Sequence, residues 1–238
     1  MQQDFLKHKI TFKGPKILPP VNLQELKYRL DKLKGVYLKD ICNALDIKMP
    51  ENSVKAKGFS GQIIEYILGA DAKTLPLPDF TNLNIELKTL PVDENLKPLE
   101  STFICHANLK PTSYISFENS TLYHKLKCIL FVLIKAPKNV DFSLRQIVGY
   151  YFFMPSDEEL AIIKEDYEEL MDMVMQGNAH KINARFGTII QMRPKAASGR
   201  DTTQIIDSNG HIAYTRPRGF YMRRSFTHAM CIKFHNNF

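Results

Sequence analysis

Leucines at 23, 26, 30 and 33 recur at the three- and four-residue spacing of one helical face. Asn22 and Glu25 just before them supply a capping box, so the pattern predicts a helix over residues 23 to 33. A second short helix follows, with Leu38, Ile41 and Leu45 on one side. Ser60 then opens "SGQIIEYILGA", where Ile63, Ile64, Ile67 and Leu68 make an apolar stripe and Gly69 a stop. At about 100° per residue, Glu65 stands roughly 130° from the middle of that stripe, either solvated or facing a cleft beside the core. Ahead of these helices, residues 1 to 20 show no period and end in Pro19-Pro20, which reads as a loosely attached arm.

From residue 83 to 153 the period changes to that of strands: "LNIELKTL", "TFICHANL", "CILFVLI" and "IVGYYFF", separated by polar or proline-containing turns. Ser156 and Glu159 box the start of a long helix running to about Gln176. It turns Leu160, Ile163, Tyr167, Leu170 and Val174 inward and stops at Gly177. Strands "TIIQMR" and "HIAYTR" and a short helix after Phe226 complete the chain. The order predicts a mixed α/β fold without internal repeats.

Length and composition narrow the class. At 238 residues the chain can bury one substantial core and is short for two independent domains. Hydrophobic residues at 44% and charged residues at 24% exclude disorder. The cysteines at 42, 105, 128 and 231 form no C-x-x-C pair, and "MQQDFLKHKI" lacks the apolar core of a signal peptide, so a reducing cytoplasm is expected. No apolar run approaches the ~18 to 20 residues of a membrane span.

Charge then singles out one end. Residues 191 to 238 hold eight Lys or Arg against Asp201 and Asp207, so 8 − 2 = +6 of the net +7 lies there. Interleaved with Phe220, Tyr221 and Phe226, this is the footprint of a phosphate-backbone binder, or equally a solvated basic surface. The long helix is acidic, with Asp157, Glu158, Glu159, Glu165, Asp166, Glu168, Glu169 and Asp172 against Lys164. That run reads as a solvated face, with a protein-docking surface as the alternative.

The candidate chemistry lies in "LPLPDFTNLNIELKTL", residues 75 to 90. Strand alternation puts Glu86 and Lys88 on one face, with Ile85, Leu87 and Thr89 on the other, and Asp79 can reach the same strand end. Two converging carboxylates offer hard oxygens to Mg²⁺, and an adjacent lysine adds positive charge where a phosphodiester gains negative charge on hydrolysis. The same residues would also serve as an exposed strand face carrying an ion pair. The E-x-K spacing recurs at Glu25-Leu26-Lys27, inside a helix, so spacing alone does not decide. No H-E-x-x-H, G-x-S-x-G or G-x-x-x-x-G-K-[ST] occurs, and the seven histidines lack ligand spacing.

The segments "KGFSGQIIEYILGA", "PDFTNLNIELKTLPVDENLKPLESTFICHANL", "HKLKCILF", "EDYEELMDMVMQG", "RPKAA" and "PRGFYMRRSFT" resemble, in the same order, those of the MutH family of DNA mismatch-repair endonucleases. The resemblance runs from about residue 22 to 235 and is loose over residues 198 to 215. It implies a restriction-endonuclease-like fold, a mixed central sheet flanked by helices with two lobes around a DNA cleft. Residues 22 to 238 would form one such domain behind an arm of residues 1 to 21. It also implies nicking of the unmethylated strand at hemimethylated GATC sites with Mg²⁺ (one or two ions, Mn²⁺ or Ca²⁺ substituting in binding). MutL is the implied activator, with MutS upstream, and the chain is implied to be a monomer in isolation, working in a bacterial cytoplasm at the nucleoid.

By position, the resemblance makes Glu65, Asp79 and Glu86 the metal ligands, Lys88 the motif lysine and Lys125 a second lysine near the scissile phosphate. Arg193, Pro194 and Lys195 resemble a loop entering the major groove, where arginine addresses guanine O6 and N7. Tyr221 resembles the methylation sensor, a ring packed closely enough to reject N6-methyladenine by clash. Lys57 and Phe103 match DNA-side positions, although Phe103 also fits a core strand and Lys57 a solvated loop. The competing expectations are a restriction endonuclease that cuts both strands at GATC, and a DNA-binding module without cleavage.

Overall fold

A computed structural model describes residues 16–50, 58–72, 77–110, 114–137, 140–196, 198 and 200–234. It has the mixed α/β architecture expected. Helices α1 (Leu23–Leu33), α2 (Leu38–Ala44) and α3 (Phe59–Leu68) precede strands β1 (Glu86–Val92) and β2 (Thr102–His106). Then come α4 (Thr121–Leu126), β3 (Ile129–Lys135), β4 (Gln146–Phe153), α5 (Asp157–Met175), β5 (Ile190–Pro194), β6 (Thr203–Ile206), β7 (Ile212–Thr215), β8 (Arg218–Met222) and α6 (Arg224–Phe234). The chain divides into two compact units: residues 1–100, 128–153 and 228–238 in the first, residues 101–127 and 154–227 in the second.

In the first unit β1, β3 and β4 form one sheet, β1 parallel and β4 antiparallel to the central β3. β3 is apolar on both faces, and six of its seven residues are buried, as a fully covered strand requires. Leu130, Val132 and Ile134 pack with Leu26, Leu30, Ile63, Ile64 and Leu68 of α1 and α3. On the opposite face Phe131 stacks on Tyr151 at 5.0 Å, and Tyr151 on Phe234 of α6 at 4.9 Å. Arg29 and Asn82 also hold the end of the sequence-predicted arm, accepting partners being the carbonyls of Leu18 and Pro20.

Local details depart from the sequence pattern. Asn22 accepts from the Glu25 N–H, but the Glu25 carboxylate reaches the N–H of Val21, not that of the cap residue. Ser60 does not open α3: the helix starts one residue earlier, behind Gly58. α5 has the full predicted box, Ser156 and Glu159 each accepting the other's N–H.

The second unit is built on the antiparallel sheet β2-β8-β5, with β6 and β7 forming a separate hairpin. Ile190, Met192, Phe220 and Met222 are buried on one sheet face, where Phe220 meets Tyr167 of α5 at 5.5 Å. The acidic run on α5 is therefore not uniformly solvated. Asp166 is 5% exposed, and its carboxylate accepts the N–H groups of Thr188, Ile189 and Ile190 at the start of β5. Gly187 makes that turn possible: its φ is +79°, and a Cβ would lie 1.8 Å from the Ile190 carbonyl oxygen.

None of the described helices is long and apolar enough to cross a membrane. The four cysteines form no disulfide.

Candidate active site

The local chain explains how Asp79 and Glu86 meet. Phe80 and Ile85 exchange backbone hydrogen bonds in an antiparallel bridge, closed by a turn in which Asn84 adopts φ +53°. The next pair outward in that register is Asp79 and Glu86. The Asp79 carbonyl accepts from the N–H groups of Asp71 and Ala72, and Asp71 in turn accepts from the backbone and hydroxyl of Thr81. This anchorage fixes the Asp79 carboxylate, whose Oδ2 takes the Leu87 N–H at 2.8 Å. Leu87 points that N–H away from β3, because β1 is the edge strand, whereas the Glu86 N–H points inward to the Cys128 carbonyl.

Glu86 is 1% exposed and its carboxylate forms an ion pair with Lys88, two residues along the same strand face. Burying a carboxylate is costly unless it is compensated, and the Lys88 ammonium supplies that compensation. Desolvation opposes the ammonium, but Glu86, then Asp79 and, further down, Glu65 outweigh it, so the Lys88 pKa is raised above its usual value. Lys88 is thus a cation at neutral pH. Glu65 contributes least, from α3, where its Oε1 and the Thr89 hydroxyl lie near Gly61.

The structure thus brings Glu65, Asp79, Glu86 and Lys88 into one electrostatic cluster. Three carboxylates against one ammonium leave a formal 1 − 3 = −2. That excess and the all-oxygen donor set match a hard divalent cation, which takes one or two carboxylates and completes its shell with water and phosphate oxygens. Among the described residues no three His, Cys, Asp or Glu side chains form a ready-made cage. A cavity of about 420 Å³ lined by Gly61, Thr89, Glu100 and Arg145 lies along α3 and β1, and its lining includes none of Glu65, Asp79 and Glu86.

In the second unit, Phe103, Arg193, Lys195 and Tyr221 come together on the β2-β8-β5 sheet. Phe103 is opposite Tyr221, which is opposite Gln191. The Phe103 and Tyr221 rings meet edge to face at 5.3 Å, Arg193 lies 5.7 Å from the Tyr221 centroid and the Lys195 amine 4.6 Å from that of Phe103. Phe103 is a half-buried residue of β2, between the buried Thr102 and Ile104. Arg193 and Pro194 are the last residues of β5, not a free loop, and Lys195 extends the ladder to the Pro217 carbonyl. Lys125 stands on α4. Lys57 lies outside the described residues.

Sequence reasoning missed the residues that hold this arrangement: Asp71 and Thr81 behind Asp79, Asp166 behind β5, and Ser101, whose hydroxyl accepts from Gln191 at 2.9 Å and Arg193 at 3.3 Å. A lone Asp or Ser gives no periodic signal, so none was available.

Comparison with known proteins gives the family. Residues 68–166 match the family model of the DNA mismatch repair enzyme MutH. The chain is 40% identical over 211 residues to the DNA mismatch repair protein MutH of Shewanella sp. (strain W3-18-1), covering 89% of this chain and 95% of that one. The chain belongs to the MutH family. The MutH proteins of Shewanella oneidensis and Shewanella woodyi are 38% and 39% identical, again over 89% of this chain and over 95% and 91% of their own lengths. The mixed α/β architecture agrees with the restriction-endonuclease-like MutH fold, and membership makes the chain a DNA mismatch-repair enzyme.

Proposed function

We propose that this MutH-family chain is a divalent-metal-dependent endonuclease that nicks the unmethylated strand of hemimethylated GATC sites, activated by MutL acting after MutS. The observation that carries the proposal is the convergence of Glu65, Asp79 and Glu86 on Lys88 at the start of β1.

Asp79 and Glu86 would hold Mg²⁺, with Glu65 as the third carboxylate, and a cation held there would supply Lewis-acid chemistry for phosphodiester hydrolysis. The residues of the chain do the rest. The Asp71 and Ala72 N–H groups hold the Asp79 carbonyl and the Leu87 N–H its carboxylate, so this one ligand is held in place before an ion binds. Lys88 keeps its positive charge where the phosphoryl group gains negative charge as water attacks phosphorus and the ester bond breaks. Lys125 would add a second ammonium at the phosphate. Lys57, Phe103, Arg193, Pro194, Lys195 and Tyr221 would contact the duplex, Arg193 addressing guanine and Tyr221 excluding an N6-methyl group.

The test is cleavage of unmethylated, hemimethylated and fully methylated GATC duplexes in Mg²⁺, with and without MutL. The expected result is a nick in the unmethylated strand of hemimethylated DNA, stimulated by MutL, and none in fully methylated DNA. Double-strand breaks in unmethylated DNA without a partner would support the restriction-enzyme reading instead. Binding without cleavage in Mg²⁺ or Mn²⁺ would refute the nuclease.

A further inference from the structure

The face of the β2-β8-β5 sheet that carries Phe103 and Tyr221 also carries a histidine that strict alternation would have turned away. His106 is three positions after Phe103, which in a regular strand puts them on opposite faces. β2 contains a bulge between Phe103 and Cys105: Phe103 is opposite Tyr221, but Cys105 is opposite Phe220 and His106 opposite Gly219. The extra residue, Ile104, is buried together with Cys105, and the strand beyond it is re-aimed. His106 consequently returns to the Phe103 side, its ring edge to face with Phe103 at 5.2 Å.

Two rows of side chains result, Phe103–Tyr221–Gln191 and His106–Gly219–Arg193. Gly219 sits between His106 and Arg193 without a side chain because Phe103 covers it: a Cβ would lie 2.6 Å from Phe103 Cε2. His106 is exposed at the strand end, in line with the arginine proposed to address guanine.

We infer that His106 is an additional DNA-contacting residue of this face, meeting the duplex as a neutral imidazole that both donates and accepts hydrogen bonds. The inference rests on the proposal that this face reads DNA. The surroundings favour the neutral form. Although the side chain is exposed, loss of water on its covered side, and then the Lys195 ammonium, hold its pKa below the usual imidazole value. The other titratable or charged groups on the elements around β2 are Arg218 and Tyr221 on β8, Arg193 on β5, and Tyr123, His124 and Lys125 on α4. Through one ring nitrogen a neutral imidazole can donate to a base acceptor such as adenine N7 or accept from a donor such as adenine N6, whereas a phosphate contact favours imidazolium, which carries charge and a donor on each nitrogen.

The sign of the pH dependence follows. If the neutral form binds, the complex holds the His106 pKa lower still, so affinity is full above the free-protein pKa and falls as acidification protonates the ring. The experiment measures affinity of the full-length chain for a GATC duplex and a GATC-free duplex of equal length, from pH 5.5 to 8, for wild type, His106→Gln, His106→Ala and Phe103→Ala. His106→Ala should weaken GATC binding by about three- to tenfold at pH 7.5, the loss of one hydrogen-bonding group, with the melting temperature unchanged. His106→Gln, which keeps a donor and an acceptor at every pH, should retain affinity and gain on wild type toward the acid end of the range.

His106→Ala within twofold of wild type while Phe103→Ala loses binding would overturn the inference alone. So would wild type gaining on His106→Gln in acid, the mark of an imidazolium on a phosphate. If Phe103→Ala also binds normally, the DNA-reading face itself is wrong.

Discussion

Replacing Asp166 by asparagine preserves the size of a buried side chain and removes its charge and one of its acceptors. In the native chain this carboxylate takes three backbone N–H groups, from Thr188, Ile189 and Ile190, the last two at 2.7 Å. Asparagine keeps one oxygen and turns an NH₂ toward at least one of those donors, which is then left unmatched. Hydrogen bonds to a charged group contribute about 1.5 to 3 kcal/mol each, and an unsatisfied buried N–H costs about 1 to 3 kcal/mol. Because the three share one side chain their losses do not add, and about 2 to 3 kcal/mol is expected for Asp166→Asn. Asp166→Ala, which strands all three donors, should cost about 4 to 5 kcal/mol, at the severe end for single substitutions. Urea unfolding followed by circular dichroism measures both. Since Ile190 begins the strand that carries Arg193, Asp166→Asn should also reduce preference for GATC over a GATC-free duplex more than it reduces total DNA affinity. A midpoint shift worth less than about 0.5 kcal/mol for Asp166→Asn, the level of an ordinary surface change, would refute the assigned role.

Other consequences concern the carboxylate cluster and the sheet face. Glu86→Ala should lower nicking by at least about 10² to 10³, the loss that follows removal of one charge-stabilising group, and nicking at the wild-type rate would remove this residue from the site. Lys88→Met leaves the buried Glu86 uncompensated and should destabilise the fold by about 3 to 5 kcal/mol. The double substitution Glu86→Gln with Lys88→Met should recover most of that stability without activity, so a double variant as unstable as Lys88→Met would argue against the pair. Gly219→Ala places a methyl 2.6 Å from Phe103 Cε2 and 2.9 Å from the Cys105 carbonyl oxygen. It should cost about 1 to 3 kcal/mol and weaken DNA binding by displacing that ring; thermal melting and a binding titration check both.

Elements whose period is uninterrupted were legible in the sequence. α1, α5 and β3 are predicted by their apolar spacing and, in the helices, by Asn22 and Ser156 at the caps. β8 was not legible: "RGFYM" begins with an arginine that the fold buries against the Ile182 carbonyl and a glycine that lies beneath Phe103, neither of which signals a strand. The same limit applies to the site. Alternation correctly placed Glu86 and Lys88 together, and the direction of Glu65 away from the apolar stripe fitted its contribution to Lys88. The apposition of Asp79 and Glu86 depends on the Asn84 turn, and the orientation of His106 on the bulge at Ile104. Each is a single-residue irregularity that a two-residue period does not reveal.

The outer edge of β1 shows what the anchorage of Asp79 does besides aligning a carboxylate. Leu87, Thr89 and Pro91 direct their backbone away from β3; Asp79 takes the Leu87 N–H, Pro91 has none to give, and the Pro91 carbonyl already accepts from Leu99. Such a border resists the docking of a stranger's strand, the usual route from an open sheet to aggregates. Asp79 therefore shields this border apart from the metal-binding role proposed for it, and a variant lacking its side chain is expected to precipitate more readily.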